Sequence, residues 1–456
     1  MRGNSKKLSS MEVFALSIAT VAPTGAMAFN TTTSAKFAGV NIPLSFLLGT
    51  VAILLIGFCF VELAKNITGE GSVYAYNRRA LGERAGFLTG WALTLTYICF
   101  AAGTVGLTAD FGNVLLNHFG IHIPIAIIAI FFILLGWFIT FFGLQLTSRI
   151  ALVMEMISIC ILLILSLVII FSGGKSGNSI TPFLVKGNTS GIGQGMIFAI
   201  LCFAGFEGSS TIAGQSSNPK RSIPFAILST IIGAAAFYLI VSYAQVIGFG
   251  VSNISKLASS SAPLDYLGVI YMGNSMATII DFATLMSCFA AFLGSLNACA
   301  YMLFALSGKQ YLPKYLSKFD LKLSSPKNAV NTTSIICILL YILIGIPFGP
   351  EEIYASLAEI GAINLLIVYL LVCLGTIFYF KNVSKEHFSV PRHLIVPIVG
   401  FVILLFPLWT NLYPVPKFPS NLYPYIVALW IIIGWVISLF NHPKNDLFSS
   451  PIDIKN

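Results

Sequence analysis

Two short stretches interrupt long apolar runs of this sequence: Val-Ala-Pro-Thr-Gly-Ala at residues 21–26 and Phe-Ala-Gly-Phe-Glu-Gly at residues 203–208. Proline removes a backbone N–H group and clashes with the preceding turn, and glycine loosens a helix. The apolar run with the second interruption comes five runs after the run with the first. Because five membrane crossings is an odd number, a repeat that starts with the second interrupted run is inverted relative to a repeat that starts with the first. Paired interruptions at corresponding positions indicate an inverted-repeat membrane transporter whose site lies at the breaks.

The composition of the whole chain agrees with a membrane protein. Of 456 residues, 57% are hydrophobic and only 9% are charged, whereas soluble domains carry roughly 25% charged residues. Backbone groups in lipid must be satisfied within the segment, and the runs are too long and too uniformly apolar for barrel strands, so we expect an all-α polytopic protein. The twelve predicted spans cover residues 13–37, 43–64, 85–115, 123–142, 150–171, 191–213, 223–248, 277–306, 329–347, 354–380, 394–409 and 423–440.

Basic residues predict the orientation of these spans. With the N-terminus in the cytoplasm, 20 of the 25 Lys and Arg residues fall on the inner side, as the positive-inside rule requires. Twelve crossings return the chain to its starting side, so both termini are predicted to be cytoplasmic in a multi-pass plasma-membrane protein. The basic start precedes a long span without a signal-peptide cleavage site, so we expect the first span to be retained.

The predicted domain organisation is one transmembrane domain over residues 1–440. Repeat one covers about 12–172 and repeat two about 191–381, followed by extra helices at about 393–440. Residues 441–456 would form a cytoplasmic tail.

Several functional classes lack support in the sequence. The net charge of +9 comes from short loops between spans, without a basic stripe interleaved with aromatic residues, so nucleic acid is not an expected partner. All eight cysteines lie in apolar runs without a Cys-x-x-Cys pair, and no zinc or haem motif occurs. We therefore expect no cofactor, no metal site and no enzymatic activity.

The loops carry the most specific motifs. Glu62-Leu63-Ala64 is followed by Gly-Ser-Val-Tyr-Ala-Tyr at 71–76, and the Gly-Phe-Glu of the second break by Asn-Pro-Lys-Arg-Ser-Ile-Pro at 218–224. Together with Asn297-Ala298 and Leu312-Pro313, these motifs resemble the amino acid–polyamine–organocation (APC) transporters over roughly residues 10 to 440. The resemblance implies the leucine-transporter fold of five plus five inverted helices, alternating access, and a site between spans one, three, six, eight and ten.

The chain also departs from the family pattern. Thr24-Gly25-Ala26 or Gly25-Ala26-Met27 stands where many members have Gly-Ser-Gly or Gly-Thr-Gly, and Thr96 stands where cation-selective members often have an acid in span three. Ser158 replaces a lysine of span five, and Tyr301 replaces an arginine of span eight. These differences leave the substrate and the coupling ion open, and they do not decide between proton symport, sodium symport and exchange.

The predicted site lies between the two broken helices. A zwitterionic substrate would place its carboxylate at the N–H groups of Thr24, Gly25 and Ala26, at the positive end of a half helix. Its ammonium group would meet carbonyls freed around residues 203–205. Including the flanking phenylalanines of the pocket wall, the predicted substrate-binding residues are Thr24, Gly25, Ala26, Phe203, Ala204, Gly205 and Phe206. A neutral amino acid is the expected substrate, and a polyamine or other organic amine is the alternative.

Three acids within the spans require separate interpretation, because a charge inside the bilayer is costly. Glu207, in the second break, is predicted to act in gating or proton coupling, and the alternative is a carboxylate that only caps exposed amides. Glu155, in span five, is either a proton site or an internally paired acid. Glu62, near the end of span two, is interpreted as structural.

Overall fold

The computed structural model describes residues 7–67, 72–175, 177–185, 189–260, 262–320, 322–323, 325–413 and 415–440. The predicted tail at 441–456 and Gly71 of the loop motif lie outside the described residues.

The described chain is helical and contains no β-strand. Its α-helices are α1 Ser10–Val21, α2 Pro23–Ala38, α3 Ile42–Asn66, α4 Val73–Leu81, α5 Glu83–His118, α6 Ile125–Phe141, α7 Leu144–Phe171, α8 Thr189–Cys202, α9 Pro219–Phe249, α10 Ile254–Ser259, α11 Pro263–Met272, α12 Asn274–Gly308, α13 Lys327–Leu340, α14 Ile346–Phe348, α15 Pro350–Phe378, α16 Val396–Thr410 and α17 Tyr423–Phe440. A 3₁₀ segment spans Gly208–Gln215, and π-helical turns span Tyr341–Gly345, Tyr379–Val383 and Pro391–Ile395. Helices α4, α10 and α11 lie in stretches that hydropathy left as loops, because they are too short to register as spans.

Nine helical stretches of the described chain are long and apolar enough to cross a membrane. The first, Ser10–Asn66, joins α1, α2 and α3 over 57 residues, and α6 and α8 are two further, shorter apolar helices. Large apolar side chains such as Phe131 on α6 and Leu429 on α17 are each 58% exposed. A surface of this kind suits lipid rather than water, so the prediction of an all-α polytopic membrane protein is confirmed.

Helix α5 lies at the centre of the fold and packs against both α12 and α15, while α3 packs against α9. The last helix is fastened to this centre by a reciprocal tryptophan pair. Trp91 Nε1 donates to the carbonyl of Trp430, Trp430 Nε1 donates to the carbonyl of Trp91, both at 2.9 Å, and the two rings stack at 4.2 Å.

Both predicted breaks interrupt their helices. Helix α1 ends at Val21, Ala22 adopts a left-handed conformation (φ 47°, ψ 64°), and Pro23 opens α2, where its missing N–H costs nothing and its fixed φ suits the first turn. Helix α8 ends at Cys202, and helical structure resumes only at Gly208. Gly205 has φ 101°, and a Cβ atom there would lie 2.6 Å from Thr20 Cγ2. Only glycine fits this approach of the second break to α1.

Four glycines with nearly equal backbone angles separate consecutive helices. Gly82 (φ 97°, ψ 171°) lies between α4 and α5, and Gly273 (φ 94°, ψ 171°) lies between α11 and α12. Gly143 (φ 118°, ψ 158°) lies between α6 and α7, and Gly349 (φ 96°, ψ 168°) precedes α15. The same backbone turn therefore recurs at two points in each half of the chain.

Candidate functional site

The first break presents three backbone N–H groups at the start of α2, and each of them faces an acceptor within the chain. The N–H of Thr24 faces the carboxyl group of Glu155. The N–H of Gly25 donates to Ser287 Oγ at 3.1 Å, and that of Ala26 to the Ala22 carbonyl at 2.9 Å. The predicted carboxylate-binding groups are thus held by side chains of α7 and α12 and by the turn itself.

The second break is lined by aromatic rings. Phe203 and Phe206 are fully buried. The Phe203 ring lies 5.0 Å from that of Tyr238, and the Phe206 ring lies 5.4 Å from those of Phe60 and Tyr369. The structure therefore places both predicted phenylalanines inside an aromatic cluster beside the break.

Backbone groups freed by the second break are mostly satisfied locally. The carbonyls of Phe203 and Gly205 accept from the N–H groups of residues 206 and 208. Ser17 of α1 donates to the Phe206 carbonyl at 2.8 Å and accepts from the Ser209 N–H at 3.1 Å. Within the described chain no hydrogen bond reaches the carbonyl of Ala204.

Glu207 is fully buried, and both of its carboxyl oxygens have partners. Tyr97 of α5 donates to Oε1 at 3.1 Å, and Tyr369 of α15 donates to Oε2 at 2.7 Å. The N–H groups of Gly205 and of Glu207 itself also face this carboxyl group. Glu207 thus joins the break to two central helices.

Tyr97, Tyr369, Ser17 and Ser287 were not predicted from the sequence as residues of the site. A phenolic hydroxyl inside an apolar helix needs a partner, and this was the available signal for Tyr97 and Tyr369. The serines gave no comparable signal, since Ser17 and Ser287 look like the other small polar residues of the spans.

Thr96 and Ser158 contribute to helix packing at the positions where the family pattern has charged residues. Thr96 donates to the Gly361 carbonyl at 3.2 Å and accepts from Asn364 at 3.1 Å. Ser158 donates to the Ala283 carbonyl at 2.7 Å. Neither side chain offers a charge to a ligand.

The remaining acid of interest, Glu62, lies near the C-terminal end of α3. It pairs with Lys65 at 3.0 Å and with His393 at 3.3 Å. These contacts tie α3 to the π-turn before α16.

The described residues form neither a metal-ligand cluster nor a disulfide. In the part of the chain that the structure describes, no three His, Cys, Asp or Glu side chains group as metal ligands. Seven of the eight cysteines are buried, and all eight are free thiols. The buried polar groups instead hold two interrupted helices in contact.

Comparison with known proteins identifies the family. The amino acid permease family model matches residues 8–437. A branched-chain amino acid permease of Lactococcus lactis is 26% identical, with 94% of this chain and 93% of the relative aligned. A methylthioribose transporter of Bacillus subtilis is 26% identical, with 97% and 95% aligned, and a branched-chain amino acid permease of the same species is 25% identical, with 95% and 92% aligned.

These relatives are transporters rather than enzymes, and they confirm the resemblance to APC proteins drawn from the loop motifs. This chain belongs to the amino acid permease family.

Proposed function

We propose that this protein is a secondary active transporter that moves an amino acid, preferentially a neutral one, across the plasma membrane by alternating access. The observation that carries the proposal is the buried contact between two interrupted helices. Gly205 of the second break packs against Thr20 beside the first, and Glu207 ties this point to α5 and α15. Interrupted helices of this kind form the midplane sites of such transporters.

Twelve crossings in a five-plus-five inverted arrangement account best for the helices. The first five crossings would be α1 with α2, then α3, α5, α6 and α7. The next five would be α8 with Gly208–Gln215, then α9, α12, α13 and α15, and α16 and α17 would be the extra pair.

Helix contacts support this division. Four crossings of the first set pack against their counterparts in the second set. These pairs are α2 with α8, α3 with α9, α5 with α12, and α6 with α13. The contact of α7 with α12 has its counterpart in that of α15 with α5. The glycine turns also correspond, Gly82 to Gly273 and Gly143 to Gly349.

Contacts at the end where α1 begins support a conformation closed on that side, which we assign to the cytoplasm together with both termini. The Leu8 N–H donates to the Gln215 carbonyl at 2.9 Å. Glu12 of α1 pairs with Arg149 of α7 at 2.9 Å. Alternating access would require these contacts to break when the site opens inward.

In the proposed pose, the substrate carboxylate meets the N–H groups of Thr24 and Gly25, and the ammonium group meets the Ala204 carbonyl. Glu155 and Ser287 must then withdraw from the amides that they hold. A neutral side chain is favoured because Thr96 supplies no charge, and both oxygens of Glu207 are already engaged by tyrosines.

A second candidate substrate class is an uncharged molecule without a carboxylate. The occupied amides of Thr24 and Gly25 favour it, and one relative is a methylthioribose transporter. Such a substrate would leave Glu155 in place.

Competition distinguishes these substrate classes. Uptake of labelled leucine into cells that express the protein should be inhibited by excess alanine, serine or isoleucine, and weakly by arginine or putrescine. Strong inhibition by arginine or putrescine without inhibition by neutral amino acids would favour the amine alternative. Inhibition by methylthioribose alone would favour the uncharged class.

A further inference from the structure

Glu155 of α7 forms a small polar cluster with Ser287, Thr24 and Gly25, here called the Glu155 cluster. Ser287 Oγ accepts from the Gly25 N–H at 3.1 Å and donates to Glu155 Oε1 at 3.1 Å. An ionised carboxylate can only accept, so Ser287 must be the donor to Glu155 when Glu155 is ionised. The Thr24 N–H completes the cluster, and one carboxyl group thereby joins α7 and α12 to the first turn of α2.

The cluster is buried but incomplete. Glu155 and Thr24 are fully buried, yet Glu155 Oε2 and Thr24 Oγ1 have no hydrogen-bond partner. No ion pair reaches Glu155 in the described chain. The titratable side chains that face it are Cys288 of α12 and Tyr238 of α9.

The other helices packed against α7 are α1, α2, α6 and α11. Among the described residues, none of them joins a titratable side chain to Glu155 by a hydrogen bond or an ion pair. An ionised Glu155 therefore depends on two donors and on the positive end of α2 for its stabilisation.

Two opposing effects govern the charge of this carboxyl group. Burial penalises the anion, particularly with one oxygen unsatisfied, whereas the α2 N-terminus favours it. A substrate carboxylate bound to the same N–H groups would bring a second negative charge into contact with Glu155, and like charges disfavour ionisation of both. Binding of a carboxylate and neutralisation of Glu155 are thus linked.

We propose that Glu155 is the proton site that couples transport, an inference that rests on the proposed amino acid transport. When ionised, Glu155 holds the N–H groups of the α2 start, with Ser287 as the bridge to Gly25. When a proton binds to the carboxyl group, those N–H groups are released to the substrate carboxylate. One proton then enters with each zwitterionic substrate and leaves on the opposite side, so one net positive charge crosses the membrane per cycle.

The test uses the full-length protein in proteoliposomes, with labelled L-leucine as the probe. Wild-type protein should accumulate leucine when an inward proton gradient is imposed, and replacement of sodium by choline should have no effect. Glu155→Gln should retain leucine counterflow but show no gradient-driven accumulation. Glu359→Gln, a carboxyl group outside the cluster that bonds to Ser420, serves as the matched control and should behave as wild type.

Gradient-driven accumulation by Glu155→Gln, or accumulation in the wild type driven by sodium alone, would overturn the proposal. Ser287→Ala retains the Glu155 carboxyl group but removes the hydroxyl that bridges it to Gly25. This variant should still take up leucine, with a shifted pH dependence of uptake. An unchanged pH profile in this variant would also count against the cluster, even where the glutamine variant fails to fold.

A measurement without substrate separates this proposal from the proposed function. If wild-type protein shows no counterflow of any amino acid, the proposed function fails. Proton binding by Glu155 can still be tested through the stability of the protein. The melting temperatures of wild type and Glu155→Gln should then differ by an amount that varies with pH. A difference that stays constant from mildly acidic to mildly alkaline pH would refute a proton-binding role.

Discussion

The hydroxyl of Tyr369 donates to Glu207 Oε2 at 2.7 Å, so α15 is bound to the break after α8 through one carboxyl oxygen. Tyr97 of α5 binds the other oxygen at 3.1 Å. Any movement of the second break against α5 and α15 must therefore strain or exchange these bonds. This geometry makes Glu207 a fixed contact between the moving parts of the proposed cycle.

Replacement of Glu207 by alanine should nearly abolish transport while the protein still inserts. Hydrogen bonds to charged groups contribute about 1.5–3 kcal/mol each, and each 1.36 kcal/mol is worth about tenfold in rate, so we expect a loss of at least about tenfold. Initial rates of leucine uptake, normalised to the amount of protein at the surface, measure this. Tyr369→Phe should show a smaller loss, and Tyr413→Phe, whose side chain is exposed, should show none.

Glu207→Gln distinguishes a fixed contact from a proton-coupling role. A fixed contact predicts lower uptake at every pH with the pH profile retained. Loss of pH dependence would transfer the coupling role from Glu155 to Glu207. Near-normal uptake by the alanine variant would reduce Glu207 to a capping residue.

The two helix breaks could be predicted from proline and glycine within apolar runs. The loop motifs indicated the amino acid permease family. The internal hydrogen bonds did not follow from the sequence. Nothing in it indicated that Ser287, 262 residues after Gly25 in the chain, donates to Glu155, because such pairing depends on the relative rotation of packed helices. Hydropathy likewise detected α3 and α9 but not α11, which is short and half exposed.

Gly205→Ala should destabilise the protein and impair transport. A left-handed conformation costs an L-residue roughly 1–2 kcal/mol, and the new methyl group would lie 2.6 Å from Thr20 Cγ2. Gly233→Ala is the matched control, since a Cβ atom at this position of α9 meets nothing within 4 Å. Thermal unfolding of both variants in detergent should show a lower melting temperature for the first and an equal or higher one for the second. Equal melting temperatures for wild type and Gly205→Ala would contradict the close packing of the breaks.

Asp265 should make the stability of the protein depend on pH. It lies on α11, outside the candidate membrane spans, where burial and the neighbouring Asp281 carboxyl raise its pKa to about 7. The unfolded value is about 3.9, so the folded state binds more protons between these values, and the free energy of unfolding falls as pH rises through that interval.

Asp265→Asn should therefore melt at a higher temperature than wild type above about pH 7, with the difference disappearing towards about pH 4. Asp320→Asn is the contrasting control, because a hydrogen bond from Lys327 holds the pKa of Asp320 below its usual value. That variant should lose stability at neutral pH, and only slightly, since the group is at the surface. A pH-independent effect of Asp265→Asn would show that its proton is not linked to folding.

The orientation of the chain is tested with single cysteines. The two variants are Asn178→Cys and Lys322→Cys. Asn178 lies in the exposed segment after α7, and Lys322 lies in the exposed segment after α12. With Cys160, the one exposed native cysteine, replaced by serine, an impermeant thiol reagent should label the first variant in intact cells and the second only after permeabilisation. The reverse pattern would invert the assigned topology and remove support for the cytoplasmic termini.

Counterflow in proteoliposomes measures amino acid transport by the isolated protein. Purified protein is reconstituted with a high internal concentration of unlabelled leucine, and labelled leucine is added outside without an imposed ion gradient. Labelled leucine should accumulate transiently above its external concentration in vesicles with wild-type protein, and this accumulation should be lost with Glu207→Ala. Absence of accumulation with leucine and with every other neutral amino acid, in protein shown to be folded and inserted, would contradict the proposed function.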